Sequence, residues 1–265
     1  MKFTFQMILL SVILITALVS CDTATRDDAN DNYDDTSYDA RPSDRTDNAM
    51  GDIVPRREDI MTKAEQDTLS PEEVLRILDV GNARFMTNNL TARDHSAMVR
   101  KAVKGQYPKA IVLSCVDSRV PVEDVFDRGI GDMFVARVAG NFINEDMLGS
   151  MEFACKVAGS KLVLVMGHEH CGAVKSAVDD VKLGNITPML AKIRPAVEAV
   201  EYDGDRTSKN QEFVSKVCER NVRMAVDQIR ERSQILREME ENGDIFIRGA
   251  VYDMDDGSVD FLSGM

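Results

Sequence analysis

The sequence predicts an α/β fold: a central, mostly parallel β-sheet flanked by helices, with a helical arm at the N-terminal side. Three observations carry that expectation. Ala110-Ile111-Val112-Leu113-Ser114 and Lys161-Leu162-Val163-Leu164-Val165-Met166 are short, apolar and rich in β-branched residues. Their hydrophobicity is continuous rather than alternating, as in parallel strands covered on both faces. Such runs alternate with helical stretches from residue 70 to residue 262, with no internal repeat, the order of a single α/β domain. Finally, both runs are followed closely by chemistry-bearing clusters, Cys115-Val116-Asp117-Ser118-Arg119 and His168-Glu169-His170-Cys171. In open α/β sheets ligands gather at the carboxyl ends of strands, so residues far apart in sequence can converge there.

The elements follow in order. Leu69-Ser70-Pro71-Glu72-Glu73-Val74 opens a helix: Ser70 is the N-cap, Pro71 sits at N1, Glu73 completes a capping box and Leu69 can staple to Val74. Val74, Leu75, Leu78 and Phe85 give it an apolar face through Asn88. The first strand is 110–114, and Met133 to Val138 forms a second. Residues 148–158 read as a helix, followed by the strand before the second cluster. Residues 172–183, 188–200 and 211–241 read as helical, the last carrying Val214, Val217, Val222, Val226 and Ile229. Asn242-Gly243-Asp244 stops it. Ile245 to Tyr252 is a strand, Asp255 to Ser258 a turn, and Val259-Asp260-Phe261 a short returning strand.

Cys115, Asp117 and Arg119 stand at i, i+2 and i+4, so an extended backbone projects all three from one face. His168 and Cys171, at i and i+3, can reach one ion as the chain turns into a helix, whose N-terminus favours a thiolate at Cys171. Two cysteines and one histidine suit Zn²⁺ and leave the fourth tetrahedral position open, the pattern of a catalytic site. Asp117 either closes the site as a carboxylate ligand or stays off the metal, held ionised by Arg119. A Cys115–Cys171 disulfide is the competing use of these thiols in an exported chain. His170 should point elsewhere and is read as a non-ligand; His95 lies in a polar stretch and is read as a surface residue. Cys155 and Cys218 fall in helical segments and are expected to be buried.

The front of the chain has a different character. After Lys2, Met7 to Val19 is almost wholly apolar, short for a spanning helix and suited to a signal-peptide core. Leu18-Val19-Ser20-Cys21 resembles a bacterial lipobox, which predicts lipid modification of Cys21. Residues 22–52 hold ten Asp, no Glu and three Arg, a net charge of −7. That segment cannot bury enough apolar surface to offset its ordering entropy, so it is expected to be a solvated tether. It lacks the order of a calcium-binding EF-hand loop. The expected organisation is a signal peptide at 1–20, an acidic tether at 21–60 and a catalytic domain at 61–265. The expected location is the bacterial cell envelope on its periplasmic side, with membrane contact through the N-terminal lipid only. The formal net charge of −13 and the lack of a basic run with interleaved aromatics argue against nucleic acid.

At the two clusters the sequence resembles the β-class carbonic anhydrases. The matching segments are Cys-Val-Asp-Ser-Arg-Val-Pro-Val-Glu (115–123), Gly-Asp-Met-Phe-Val-Ala-Arg-Val-Ala-Gly-Asn (131–141), Gly-Ser-Met-Glu-Phe-Ala (149–154) and Gly-His-Glu-His-Cys-Gly-Ala-Val (167–174). Gly81-Asn82-Ala83-Arg84-Phe85 and Gly249-Ala250-Val251-Tyr252-Asp253 also look like family landmarks, and the resemblance covers roughly residues 70–262. It implies that Cys115, His168 and Cys171 ligate one Zn²⁺ per subunit, with Asp117 and Arg119 as the catalytic dyad. The implied reaction is reversible hydration of CO₂ to bicarbonate and a proton, by zinc-hydroxide attack assisted by that dyad. Gln106 resembles a glutamine that helps hold substrate. Phe134 resembles a residue lining the active-site cleft, in some members from the neighbouring subunit; ordinary core is the competing reading. The family forms homodimers or higher homo-oligomers, in which N-terminal helices pack across subunits.

Two departures are visible. Some members carry a non-catalytic bicarbonate pocket built from a Trp, an Arg and a Tyr. Here Val112 and Phe153 stand in the Trp and Tyr positions, while Arg137 matches, which speaks against that pocket. Carbonyl sulfide or carbon disulfide would be alternative substrates for the same site. A zinc-holding protein without activity is a third reading, disfavoured because storage needs no Asp–Arg pair.

Overall fold

The sheet explains the continuous apolar runs. In a computed structural model that describes residues 56–264, β1 (Ala110–Ser114), β2 (Met133–Arg137), β3 (Leu162–His168), β4 (Phe246–Tyr252) and β5 (Val259–Phe261) form one sheet in the order β2-β1-β3-β4-β5. β1 pairs in parallel with β2 and β3, and β3 with β4; β5 returns antiparallel to β4. Every residue of β1 and β3 is buried. Ile111, Leu113, Val163, Val165 and Ile247 belong to one hydrophobic cluster, and Ala110, Val112, Leu162, Leu164 and Met166 to another. With both faces covered, successive residues alternate between two apolar layers rather than between core and water, which removes the period-2 signal.

Helices supply both covers. α2 (Pro71–Met86) starts as its sequence predicts, with a complete Ser70–Glu73 capping box and Pro in its first turn. Its buried Val74 and Leu78 pack against its own sheet, together with Val122, Val125 and Phe126. On the opposite face lie α5 (Glu145–Glu152), α9 (Gln211–Arg232) and α10 (Gln234–Glu241). Among the described residues no helix is long and apolar enough to cross a membrane.

Several boundaries differ from the sequence reading. The stretch 211–241 is two helices, broken at Ser233. That residue caps α10 by accepting a hydrogen bond from the Leu236 N–H, while its hydroxyl donates to Glu152 (2.6 Å). The stretch 148–158 ends in a π-helical turn, Phe153–Val157. The stretch 188–200 is two short helices, α7 (Ile186–Leu190) and α8 (Arg194–Ala199). α6 (Gly172–Val178) stops before residue 183, where Asp180 takes a left-handed conformation. Three short helices were not foreseen: α1 (Lys63–Asp67), α3 (His95–Ala102) and α4 (Val122–Val125).

The body also begins before residue 61. Arg57 forms an isolated parallel bridge with Arg93 and a two-pronged ion pair with the buried Asp132, which Lys109 shares. Asp127, wholly buried, is bonded by Arg84, Arg93 and Thr91. These two carboxylates fasten the arm to the segment between α4 and β2. Signal peptide, lipobox and most of the acidic stretch lie outside the described residues.

The strand order fixes where chemistry can sit. The chain steps from β1 to β2 on one side, then crosses to place β3 on the other. The carboxyl ends of β1 and β3 therefore flank the switch point of the sheet, where connections diverge and a crevice opens.

Candidate active site

Both clusters meet at that switch point. Cys115 follows the last residue of β1, and His168 is the last residue of β3. One residue beyond Glu169, His170 adopts a positive φ of 52°, uncommon for a side-chain-bearing residue. This turn brings Cys171 back as the N-cap of α6. The Sγ atoms of Cys115 and Cys171 are 4.0 Å apart and both cysteines are free; a disulfide would need about 2.05 Å. Donor atoms of Cys115, His168 and Cys171 all lie within 4.8 Å of one another, and all three residues are buried.

The histidine is oriented for ligation. Its Nδ1–H donates to the Glu169 carbonyl at 2.8 Å, so the lone pair is left on Nε2. Nε2 is buried and has no hydrogen-bond partner, an arrangement that calls for an acceptor of that lone pair. Met254 Sδ lies 3.4 Å from Nδ1, and the Cys218 thiol donates to the His168 carbonyl at 3.2 Å.

The sulfurs make the same case. The Cys115 thiol is drawn down to about 4 by the hydrogen bond from Cys171, then by His168 and the Gly140 and Asp117 amides, against the opposing effect of burial. Cys171 is pushed the other way, first as the donor in that bond and then by burial and the neighbouring charge. Two buried thiolates this close repel, so both ionise only with a cation between them. Two sulfurs and one imidazole nitrogen are a zinc donor set, and the residues fit it. Gly140, at φ 79°, presents its N–H to Cys115 Sγ at 3.3 Å. A side chain there would meet Ile193 Cδ1 at 2.3 Å, so the close approach needs glycine.

Asp117 and Arg119 stand beside the donors. Arg119 Nε donates to Oδ1 (2.9 Å) and Nη2 to Oδ2 (2.7 Å), and the Arg119 backbone N–H adds a bond to Oδ1 (3.0 Å). These bonds, the side-chain ones first, hold the carboxyl well below the usual carboxylate range. Oδ2 is 3.8 Å from His168 Nε2. The pair thus has the carboxylate turned to arginine, in reach of the donors. Arg137, the last residue of β2, donates from Nε to the Cys115 carbonyl (2.8 Å) and from Nη2 to the Asp117 carbonyl (2.7 Å).

Other expected residues lie apart from this cluster within the chain. Gln106 is exposed and precedes the amino end of β1, whereas Cys115 follows its carboxyl end. Phe134 sits in β2 opposite Ile111 and stacks edge-on against half-exposed Phe153 at 6.2 Å. Val112 is buried in β1. His170 is not part of the Cys115–His168–Cys171 group; with Glu169 and Asp255 it forms a separate, more exposed set. His95 is exposed, and Cys155 and Cys218 are buried. Sequence spacing offered no signal for Gly140, Cys218 or Met254, because each reaches the site from a distant segment.

Comparison with known proteins agrees with the geometry. Residues 110–259 match the family model described as carbonic anhydrase. Carbonic anhydrase 2 of Mycobacterium tuberculosis is 35% identical over 194 residues, covering 71% of this chain and 91% of that protein. A carbonic anhydrase of Mycolicibacterium smegmatis is 34% identical over 201 residues, covering 73% and 94%. Among solved structures, a β-carbonic anhydrase of Aspergillus fumigatus superposes with a TM-score of 0.55 at 25% identity, over 72% of this chain and 90% of that one. A tetrameric β-carbonic anhydrase of Sordaria macrospora shares the fold, with a TM-score of 0.56 at 19% identity over 73% and 96%. With a family model spanning more than half its length and relatives above 30% identity, the chain belongs to the carbonic anhydrase family, in its β class.

Proposed function

We propose that this enzyme hydrates CO₂ reversibly to bicarbonate and a proton with one zinc held by Cys115, His168 and Cys171, and that Asp117 and Arg119 are its catalytic dyad. The observation that carries the reading is the doubly bonded Asp117–Arg119 pair standing 3.8 Å from His168 Nε2. A bound zinc supplies a Lewis acid that brings the pKa of a water toward about 7.

The chain's own groups do the rest. Asp117 Oδ1 already accepts two hydrogen bonds and Oδ2 accepts one. Oδ2 thus keeps acceptor capacity on the side facing the donors. It accepts the hydrogen of the nucleophilic water and so aims an oxygen lone pair at the carbon of CO₂. Arg119 keeps Asp117 anionic, which is what an acceptor must be. The Gly140 N–H partly neutralises the Cys115 sulfur, limiting the charge that two thiolates place on the site. Stopped-flow CO₂ hydration on zinc-loaded protein tests this directly; zinc-replete protein with no activity above buffer refutes it.

Two features extend the proposal. β2 is an edge strand, and a cleft of about 750 Å³ runs along it, lined by Phe134, Ala136, Met147 and Phe153 among others. An uncovered edge of this kind invites pairing with another chain. It fits a homodimer or higher homo-oligomer in which Phe134 serves a neighbouring site. Light scattering on the eluting protein reads this, and a monomer at micromolar concentration would refute it. The apolar Met7–Val19 run and the Leu-Val-Ser-Cys ending at Cys21 support a lipid-anchored enzyme of the bacterial cell envelope, facing the periplasm. Intact-mass analysis of the membrane-extracted protein should show a chain starting at an acylated Cys21.

A further inference from the structure

We propose that Arg137 is a positioning residue for the reaction. Its guanidinium sets the backbone of the Cys115–Asp117 segment and thereby the aim of the Asp117 carboxylate. The proposal rests on the zinc reading of the site but concerns this chain's own geometry.

Regular strand pairing between β1 and β2 ends at this point: the Val138 N–H bonds the Ser114 carbonyl at 3.1 Å, and the next residues leave the strand. The Asp117 carbonyl accepts the Val120 N–H within its own turn at 3.2 Å, while the Cys115 carbonyl needs a donor from elsewhere. Arg137 bonds both carbonyls, from Nε and Nη2. The two carbonyls lie two residues apart, and the planar guanidinium bridges them through Nε and Nη2. A lysine ammonium is a point donor on a flexible stem and cannot hold both in fixed relation.

What Arg137 does not touch is as informative. Among the described residues no carboxylate lies within ion-pair distance of it, although this protein is acid-rich. Its bonding to protein is instead with two neutral carbonyls that bracket Val116. One of them belongs to a metal-donor residue, the other to the residue that must face the nucleophile. Asp117 is therefore gripped within its loop, at its carboxylate by Arg119 and at its carbonyl by the Val120 N–H, and from outside the loop by Arg137. Without the outside grip the 115–117 peptides can rotate, and the carboxylate swings while Arg119 follows it. The local bonds move with the loop, and the bond from half-exposed Arg119 to the His170 carbonyl is long, at 3.4 Å.

The test compares wild type, Arg137→Lys and Arg137→Gln as full-length, zinc-loaded protein. Zinc content, kcat and KM for CO₂, and amide hydrogen exchange of residues 115–120 are measured on each. Both variants are expected to keep one zinc per chain and a near-native melting temperature. kcat should fall about 10-fold in Arg137→Lys and up to about 100-fold in Arg137→Gln, the range expected for small misplacements of a reacting group. KM should stay within about 3-fold, because no substrate contact is removed. Exchange at 115–120 should quicken in the same order while the β3 amides stay protected. If Arg137→Gln does not fold, Arg137→Lys decides by the same readouts. Unchanged exchange and kcat overturn the proposal, as does a kcat loss that merely tracks lost zinc or lost folded protein. An inactive, zinc-replete wild type would overturn the proposed function instead, and the exchange comparison would still decide the clamp.

Discussion

Replacing Asp117 with Asn isolates the charge of the dyad from its shape. In the wild type three hydrogen bonds converge on the carboxylate: two at Oδ1 (2.9 and 3.0 Å) and one at Oδ2 (2.7 Å). An asparagine can keep its single oxygen at the Oδ1 position. Its NH₂ then meets Arg119 Nη2 donor to donor, so the shortest bond is lost. Hydrogen bonds to charged groups are worth about 1.5–3 kcal/mol each. Because Arg119 is half exposed, water replaces much of that loss, and the stability change should stay near 1 kcal/mol. The effect on chemistry is larger, because the same NH₂ cannot accept a proton. Loss of a positioned proton acceptor typically costs 10²–10⁴-fold, so kcat should drop by about 10³-fold with zinc content unchanged. The assay is indicator-coupled stopped flow, paired with metal analysis of the same sample. A zinc-replete Asp117→Asn enzyme with wild-type kcat would refute the role of the carboxylate. A variant that lost its metal would show instead that Asp117 helps bind it.

Other consequences can be read from the same contacts. His168→Ala removes the one nitrogen of the donor set, and the variant should purify without stoichiometric zinc. A strong chelator should lower the melting temperature of wild type but not of this variant, since a ligand stabilises only the state that binds it. At Asp127, burial pushes the carboxyl up, but the bonds from Thr91, Arg84 and Arg93 outweigh it and hold the group at about 2. A folded-state pKa below the unfolded value of about 3.9 gives stability that is present above about pH 4 and lost as pH falls toward about 2. Asp127→Asn should therefore flatten the acid limb of the urea midpoint between pH 4 and 2; an unchanged limb would remove Asp127 from the account. Gly81→Ala sets two effects against each other. Alanine should gain about 1 kcal/mol of helix propensity, but its Cβ would lie 2.0 Å from the Phe126 carbonyl oxygen. Overpacking against backbone costs about 1–3 kcal/mol or more, so the variant should be less stable in urea, and a gain in stability would contradict the packing.

The parts of this structure legible in sequence were those written by local chemistry. The Ser70–Glu73 capping box, the buried β1 and β3 runs and the turn before β5 depend on neighbours a few residues away. The convergence of Cys115, His168 and Cys171 was legible for a different reason: both clusters follow strands of a parallel sheet, whose carboxyl ends share one edge. What was not legible came from tertiary packing. The break at Ser233 exists because its hydroxyl reaches Glu152 on α5, 81 residues away. The split of 188–200 and the early end of α6 depend on how α6, α7 and α8 pack around Cys115 and Cys171. The segment from Arg57 to residue 60 looked like tether because its composition is polar. It is held by the buried Asp132, whose role no local pattern discloses. Arg137 was visible only as a match to a pocket whose other two members are missing; its bonds show what it holds here.

The strand order also dictates when metal can be captured. In an unfolded chain His168 and Cys171 remain neighbours, but Cys115 is 56 residues from Cys171. Only the pairing of β1 with β3, register and all, closes the third side of the trap. A two-donor fragment binds zinc weakly, and full affinity arrives with the folded sheet. If the chain is exported unfolded, as proposed, loading is a late maturation step on the far side of the membrane. Zinc supply at the time of folding, rather than at synthesis, then sets how much of the protein carries a complete site.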